Sequence, residues 1–366
     1  MTSVWSRVGL AALAATTAQV GSSAMAPDPL APLSVARPAP QPNPAVRPRT
    51  AAVVPARLQA QIAALGRGFD GKAGVSVVSL SDGWEAEWNS AVLFPQQSCS
   101  KLWVAISTLD AVDRGSVKLT DRVSFDLTDL TLFHQPIAAK ILGGGHTTTL
   151  GALMFTAITE SDNTANDKLM RSIGGPAAVR NTIARKNLGA IRFFDGERSL
   201  QSKIAGLTWS QSYSIGGAFY KARAALPMSL RRASFERYIS DPYDGAAPHA
   251  VAYALARLKK GELLSPASTD QLLTTMGRTK TGGMRVRAAL APGWGWNHKT
   301  GTGQELNGRI GGINDIGLLT APDGTVYAMA IMTVPNNNAS GSAQRLMRDI
   351  TKAVIASHEA RGRSSY

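Results

Sequence analysis

Strand-like runs stand near both ends of the folded stretch with a helical pattern between them, and this arrangement constrains the fold more than any other feature of the chain. Residues 74–80 and 84–89 are strand-like and are separated by Ser81-Asp82-Gly83, a turn sequence that signals a hairpin. Three further strand candidates come late, at 296–304, 310–320 and 326–334, the last two joined by Pro322-Asp323-Gly324. From about 120 to 290 the apolar residues recur at helical spacing: Leu150, Leu153, Met154, Ala157 and Ile158 mark one buried helix, and Val251, Leu255 and Leu258 another. Helices are also predicted at 56–69, after Ser98 through Leu102, Ala105, Ile106 and Leu109, and at 343–359. The two ends must then pair in one sheet while the middle forms a second lobe. A cleft between two such lobes is the usual place for a small-molecule site.

Composition removes several alternatives. With 44% hydrophobic and 17% charged residues, the 366-residue chain is not wholly disordered and can bury a sizeable core. One cysteine rules out an intramolecular disulfide framework and a Cys-rich zinc site. The five histidines are scattered and never take metal-ligand spacing, so no metal is expected. The net charge of +14 would attract anionic polymers, but no basic patch is interleaved with aromatics, and no nucleic-acid partner is expected.

The amino terminus carries Arg7, an apolar stretch from Val8 to about Val20, and small residues at Ser22, Ala24 and Ala26. That order predicts a signal peptide over 1–24, with an apolar stretch shorter than the roughly 20 residues of a spanning helix. Export to the periplasm is expected, with no lipid-bearing Cys nearby and no stable membrane insertion. Residues 27–48 hold 8 of the 19 prolines, so 25–52 reads as an extended spacer. The folded unit is expected over 53–360, with a sheet lobe at about 53–118 and 291–360 and a helical lobe at about 119–290.

Three short motifs carry chemistry. Ser98-Cys99-Ser100-Lys101 is the only Ser-x-x-Lys in the chain; at i and i+3 on a helix the hydroxyl and amine share a face and can touch. An amine whose pKa is lowered by burial or by other cations can take the serine proton. Ser161-Asp162-Asn163 follows a buried helix: the hydroxyl can relay a proton, and the carboxamide can position a substrate or hold a lysine. Its other reading is a helix cap. Lys299-Thr300-Gly301, on a predicted strand, offers a cation, a hydroxyl and a small residue against which a substrate carboxylate can lie. A second copy, Lys280-Thr281-Gly282, lacks strand flanks and is read as a loop decoy.

Each motif alone is weak; a chain of this length shows about one Ser-x-x-Lys by chance. In this order and context the set resembles the penicillin-recognising serine hydrolases. The stretch FFDGERSLQ, whose Glu197 lies thirty-four residues after Asn163, further resembles the Glu-x-x-Leu-Asn loop of class A β-lactamases, with Glu197 and Leu200 matching and Gln201 in place of Asn. The resemblance covers about 53–360. It implies an α/β (α+β) fold of the β-lactamase/DD-peptidase type, an antiparallel sheet flanked by helices beside an all-helical lobe. It also implies a monomer acting on a small β-lactam with no metal or organic cofactor.

By that resemblance Ser98 is the nucleophile, with Lys101 or Glu197 (through water) as base for acylation. Ser161 passes a proton to the lactam nitrogen, and the N–H groups of Ser98 and Thr302 form the oxyanion hole. Lys299, Thr300 and Arg285 hold the substrate carboxylate, Gly301 lets the substrate lie against the strand, Asn163 meets the side-chain amide, and Glu197 with Gln201 positions the hydrolytic water. Arg285 is preferred over Arg309 because the latter does not align cleanly. The chain departs from the family in Gln201, one methylene longer than Asn, and in surplus residues at about 203–245. Those residues predict an extra basic helix with Pro227 at its start and Arg231, Arg232 and Arg237 along it; a cover for the site and a packing insert are both open. Cys99 is expected to be a small buried hydrophobe. Two rival readings stand beside hydrolysis: a DD-peptidase or lactam-trapping protein that deacylates slowly, and a non-catalytic lactam- or wall-binding module.

Overall fold

The computed structural model describes residues 53–337 and 341–363. The signal peptide and the spacer predicted over 1–24 and 25–52 lie outside them. Five strands form one sheet: β1 (Gly71–Ser79), β2 (Glu85–Trp88), β3 (Gly295–Thr302), β4 (Ile313–Thr320) and β5 (Val326–Pro335), in the order β2-β1-β5-β4-β3. All neighbours are antiparallel, and the two ends of the fold meet in the β1/β5 ladder, where Val75 lies opposite Ile331. The strand carrying the Lys299 motif is therefore an edge, with one side free to line a cleft.

Both faces of the sheet are covered, which is why β5 reads as a nearly continuous apolar run. Tyr327, Met329 and Ile331 pack with Leu58 and Ile62 of the helix Ala56–Arg67 and with Ile350 and Val354 of Ser342–Arg363. Ala328, Ala330 and Met332 face the opposite layer with Val251 and Leu255. Successive strand residues point to opposite sides, so the alternation sorts them between two cores. The helix Pro248–Lys259, within the stretch predicted as the helical lobe, packs on β1 and β5.

The remaining helices centre on Lys101–Asp113, which is buried from Lys101 to Ala111. A helix apolar on all sides belongs inside a core, and Leu150–Thr159, Asn163–Ser172 and Gly175–Arg185 surround it. The surplus stretch folds as a 3₁₀ turn, Gln211–Ser214, and two helices, Ala218–Ala225 and Met228–Ser240. The second is the basic helix predicted after Pro227, and it sits beside Glu197–Ile204 with Phe235, Tyr238 and Ile239 buried. The first, which the residue pattern does not announce, reaches the cleft.

Candidate active site

Ser98 sits in a 3₁₀ turn, Gln97–Ser100, that leads directly into Lys101–Asp113. Gln97 before it holds φ at 53°, an uncommon value for a residue with a side chain. The surroundings over-determine this strained conformation: the Gln97 N–H donates to Asp244 Oδ2 at 2.8 Å, and its Nε2 donates to Tyr238 OH at 2.6 Å and to the Gly311 carbonyl at 3.1 Å. Tyr238 in turn donates to Asp244 Oδ1 at 3.0 Å. Burial pushes the Asp244 carboxyl up to about 7.

One turn on, Lys101 is completely buried, and its Nζ donates to Ser98 Oγ at 2.9 Å, to Asn163 Oδ1 at 2.8 Å and to Glu197 Oε1. These are the three hydrogen bonds an ammonium can make. Asn163 is held from its other end, where Nδ2 donates to the Leu132 carbonyl at 2.8 Å.

The Ser161-Asp162-Asn163 segment is both a cap and a site. Asp162 caps Asn163–Ser172 by accepting from Ala165 N at 2.8 Å, and it ties down Ile137 N at 2.7 Å. Ser161, with φ at 63°, is turned the other way and accepts from Lys299 Nζ at 2.9 Å. Lys299 also donates to the Thr300 carbonyl at 2.9 Å. Burial, with the Lys101 ammonium nearby, lowers the Lys299 pKa to about 7.

Glu197 opens the helix Glu197–Ile204, preceded by Gly196 at φ 86°. The first-turn N–H of Glu197 donates to Asp167 Oδ1 at 2.9 Å, so a carboxylate from a neighbouring helix does the work of a cap. One turn later, Gln201 Nε2 donates to Glu197 Oε2 at 3.3 Å and to Gln97 Oε1 at 3.1 Å, while its Oε1 accepts from Gln304 Nε2 at 3.0 Å. The longer side chain thus belongs to a buried chain of three glutamines. Asp167, Gln97 and Gln304 escape sequence reasoning, because their partners are distant in the chain.

A cavity of about 480 Å³ opens onto this network, lined among others by Ser98, Ser161, Asn163, Gln201, Thr300 and Thr302. Arg285 lines it too: Nη1 donates to the carbonyls of Gly301 (3.0 Å) and Asn314 (2.6 Å), and Nη2 to Thr302 Oγ1 at 2.6 Å. Arg309 is not brought to the cavity. A short ribbon, Glu305–Leu306 against Arg309–Ile310, carries it away to Glu236 at 2.6 Å.

One reading changes. The 280–282 segment is a loop as predicted but no bystander: Thr281 Oγ1 lies 2.6 Å from Thr300 Oγ1 and lines the cavity, while Lys280 pairs with Glu160. Gly301 also packs on the turn behind it, where a Cβ would stand 2.3 Å from the Gln96 carbonyl and 3.2 Å from Cys99 Sγ. Cys99 itself is fully buried, with its thiol pushed up to about 12 by burial, and is inert at neutral pH.

Residues 57–357 match the model of the beta-lactamase enzyme family. Beta-lactamase CTX-M-6 of Salmonella typhimurium is 29% identical over 264 residues, covering 72% of this chain and 76% of its own. Beta-lactamase VEB-1 of Pseudomonas aeruginosa is 24% identical over 279 residues, covering 76% and 83%. Among solved structures, a beta-lactamase from Chitinophaga pinensis DSM 2588 superposes with a TM-score of 0.67 at 24% identity over 82% of this chain and 99% of its own, which speaks to the fold. An ancestral class A beta-lactamase gives 0.66 at 27% over the same shares. With the match spanning nearly all the described residues and enclosing the whole Ser98 network, the chain belongs to the beta-lactamase enzyme family.

Proposed function

We propose that this chain hydrolyses the amide of β-lactams through an acyl-serine, and that the residues gathered around Ser98 carry the steps. The observation that bears most weight is the placement of Glu197 on the same lysine as the nucleophile. A serine hydrolase without a positioned water-activating base is trapped as its own acyl-enzyme; a carboxylate beside Ser98 separates a hydrolase from a lactam trap.

Ser98 Oγ attacks the lactam carbonyl carbon. As an ammonium, Lys101 has no lone pair for the Ser98 proton, so it first passes one of its own to Glu197, its direct partner. The proton thus travels from Ser98 to Lys101 as another leaves Lys101 for Glu197. The carbonyl oxygen receives the N–H groups of Ser98 and Thr302, which border the same cavity. Ser161, bonded to Lys299, delivers a proton to the lactam nitrogen as the C–N bond breaks, and is refilled by the proton that Glu197 returns through Lys101. The substrate carboxylate lies against Lys299, Thr300, Thr281 and Arg285, and the acyl amide against Asn163. Glu197, ionised again, takes a proton from a water that Gln201 helps to orient; the water oxygen attacks the acyl carbonyl carbon, and the proton passes through Lys101 to Ser98 Oγ as its bond to the acyl group breaks.

The test is a reaction with a chromogenic cephalosporin, followed by absorbance and intact mass together. Sustained turnover with little adduct supports the reading, and Glu197→Gln should then give one burst and a persistent acyl adduct. A stoichiometric burst with a lasting adduct in the unaltered protein would move the assignment to a trapping protein or DD-peptidase; neither burst nor adduct would favour a passive binding module.

We further propose export directed by residues 1–24, with 25–52 as a spacer and a monomeric catalytic unit over 53–360. No helix among the described residues is long and apolar enough to cross a membrane. A mature protein recovered from the periplasm with its amino terminus near residue 25, and a monomer mass in solution, are the expected results.

A further inference from the structure

We infer that Arg223, brought to the cleft by the helix Ala218–Ala225, is a second anion subsite that selects β-lactams bearing a carboxylate on the acyl side chain. The inference rests on the hydrolase reading above.

The cavity has two guanidinium groups with different surroundings. Arg285 is held by three oxygens around Gly301 and Thr302 at the end of the edge strand β3. Arg223 makes one hydrogen bond, from Nη2 to the Glu305 carbonyl at 2.6 Å. Its Nε is buried without a partner, and no carboxylate lies within ion-pairing distance among the described residues. By contrast Arg185, Arg192 and Arg309 each reach an acidic side chain. Arg223 therefore stands half-buried without an ion pair; burial, with repulsion from the neighbouring guanidinium of Arg231, depresses its pKa, and the Glu305 carboxylate offsets this only in part. A desolvated cation without a counter-charge is costly, and a carboxylate arriving in the cavity would relieve it through charge-assisted hydrogen bonds.

Position decides which carboxylate. The one on the lactam nucleus has Lys299, Thr300 and Arg285 as its partners. Arg223 is anchored at Glu305, three residues beyond Thr302, a span of at most about 11 Å along the chain. Gln304 beside it donates to Gln201, and that chain continues through Glu197 and Lys101 to Asn163, the residue that would take the acyl amide. Tyr220, 60% exposed, stands 6.0 Å from the Phe133 ring and supplies an apolar wall for the rest of the side chain. The Glu305 carboxylate also borders the cavity, but it is solvent-exposed and screened, and it forms no ion pair with Arg223.

The experiment compares benzylpenicillin with its α-carboxy derivative, a matched pair differing by one side-chain carboxylate. The kcat/KM ratio of the two is measured for the full-length protein, for Arg223→Gln and for Arg223→Lys. A poorly folded variant lowers both rates together, so the ratio reports only on the active molecules. Arg223→Gln should depress the α-carboxy substrate at least tenfold more than benzylpenicillin, chiefly through KM, and Arg223→Lys should recover part of that difference. A ratio unchanged within twofold in Arg223→Gln overturns the subsite and leaves Arg223 as a brace for Glu305. An unaltered protein inert to both benzylpenicillin and the chromogenic cephalosporin would overturn the hydrolase reading itself, a result visible before any variant is compared; one inert to benzylpenicillin and its α-carboxy derivative alone would overturn the subsite.

Discussion

The hydroxyl of Tyr238 accepts a 2.6 Å hydrogen bond from Nε2 of Gln97, the residue immediately before the nucleophile. Tyr238 belongs to the helix Met228–Ser240, which lies in the surplus stretch that sets this chain apart from the family pattern. The extra helix therefore reaches the strained turn that presents Ser98, and through Asp244 it also holds the backbone of that turn.

Tyr238→Phe keeps the buried ring but removes one acceptor from Gln97 and one donor from Asp244. Leaving such groups unsatisfied costs about 1–3 kcal/mol, to be read as a lower urea midpoint at unchanged slope. Misplacement of Ser98 should also lower kcat/KM by roughly tenfold. Unchanged stability and unchanged kcat/KM would show that the helix only covers the surface.

Gln201→Asn restores the family residue but shortens the side chain by one methylene. It cannot hold Gln97 and Glu197 on one side and Gln304 on the other. The expected outcome is a lower kcat, with acyl-enzyme accumulating in intact-mass spectra. A faster enzyme would mean that the glutamine chain hinders the water instead of placing it.

Lys299 should set the alkaline limb of the pH profile. Its folded pKa is lowered to about 7 from 10.5, so in the free enzyme the charge that receives the substrate carboxylate is lost as pH rises through 7. The limb belongs to kcat/KM, which reports the free enzyme. In the substrate complex the bound carboxylate favours the ammonium, so kcat should hold to higher pH. Lys299→Arg, always charged, should remove the limb from kcat/KM even if the maximum is lower. A limb of the same position in Lys299→Arg would assign it to another group.

Gly301→Ala tests the close approach of β3 to the nucleophile turn. The added methyl would meet a backbone carbonyl that cannot rotate away, and overpacking of this kind costs about 1–3 kcal/mol. A lower thermal midpoint and a loss of turnover together are expected. A fully stable variant would contradict the contact with Gln96.

The nucleophile and its lysine were legible in the sequence because their relationship is local: one helical turn brings Ser98 and Lys101 together wherever the segment lies. The hairpin at 81–83 and the apolar runs of the late strands were legible for the same reason, since periodicity and turn chemistry act over a few residues. Their ends moved by a few positions, as for the strand predicted at 310–320, which starts at Ile313 because the ribbon through Arg309–Ile310 intervenes.

What the sequence by itself determined is the inventory: which hydroxyls, amines and carboxylates exist, and which short segments carry them. Only the tertiary structure decided their partners. Ser161 and Lys299 are 138 residues apart, and Lys101 and Glu197 are 96 apart. The loop threonine Thr281 joined the site because it packs beside Thr300, Arg309 left it because a ribbon turned it towards Glu236, and Arg223 entered on a helix the pattern did not reveal. The physical reason is the same in each case. Propensity and periodicity are properties of neighbouring residues, whereas hydrogen bonds, desolvation and ion pairs depend on which distant segments the packed sheet and helices bring within about 3 Å of one another.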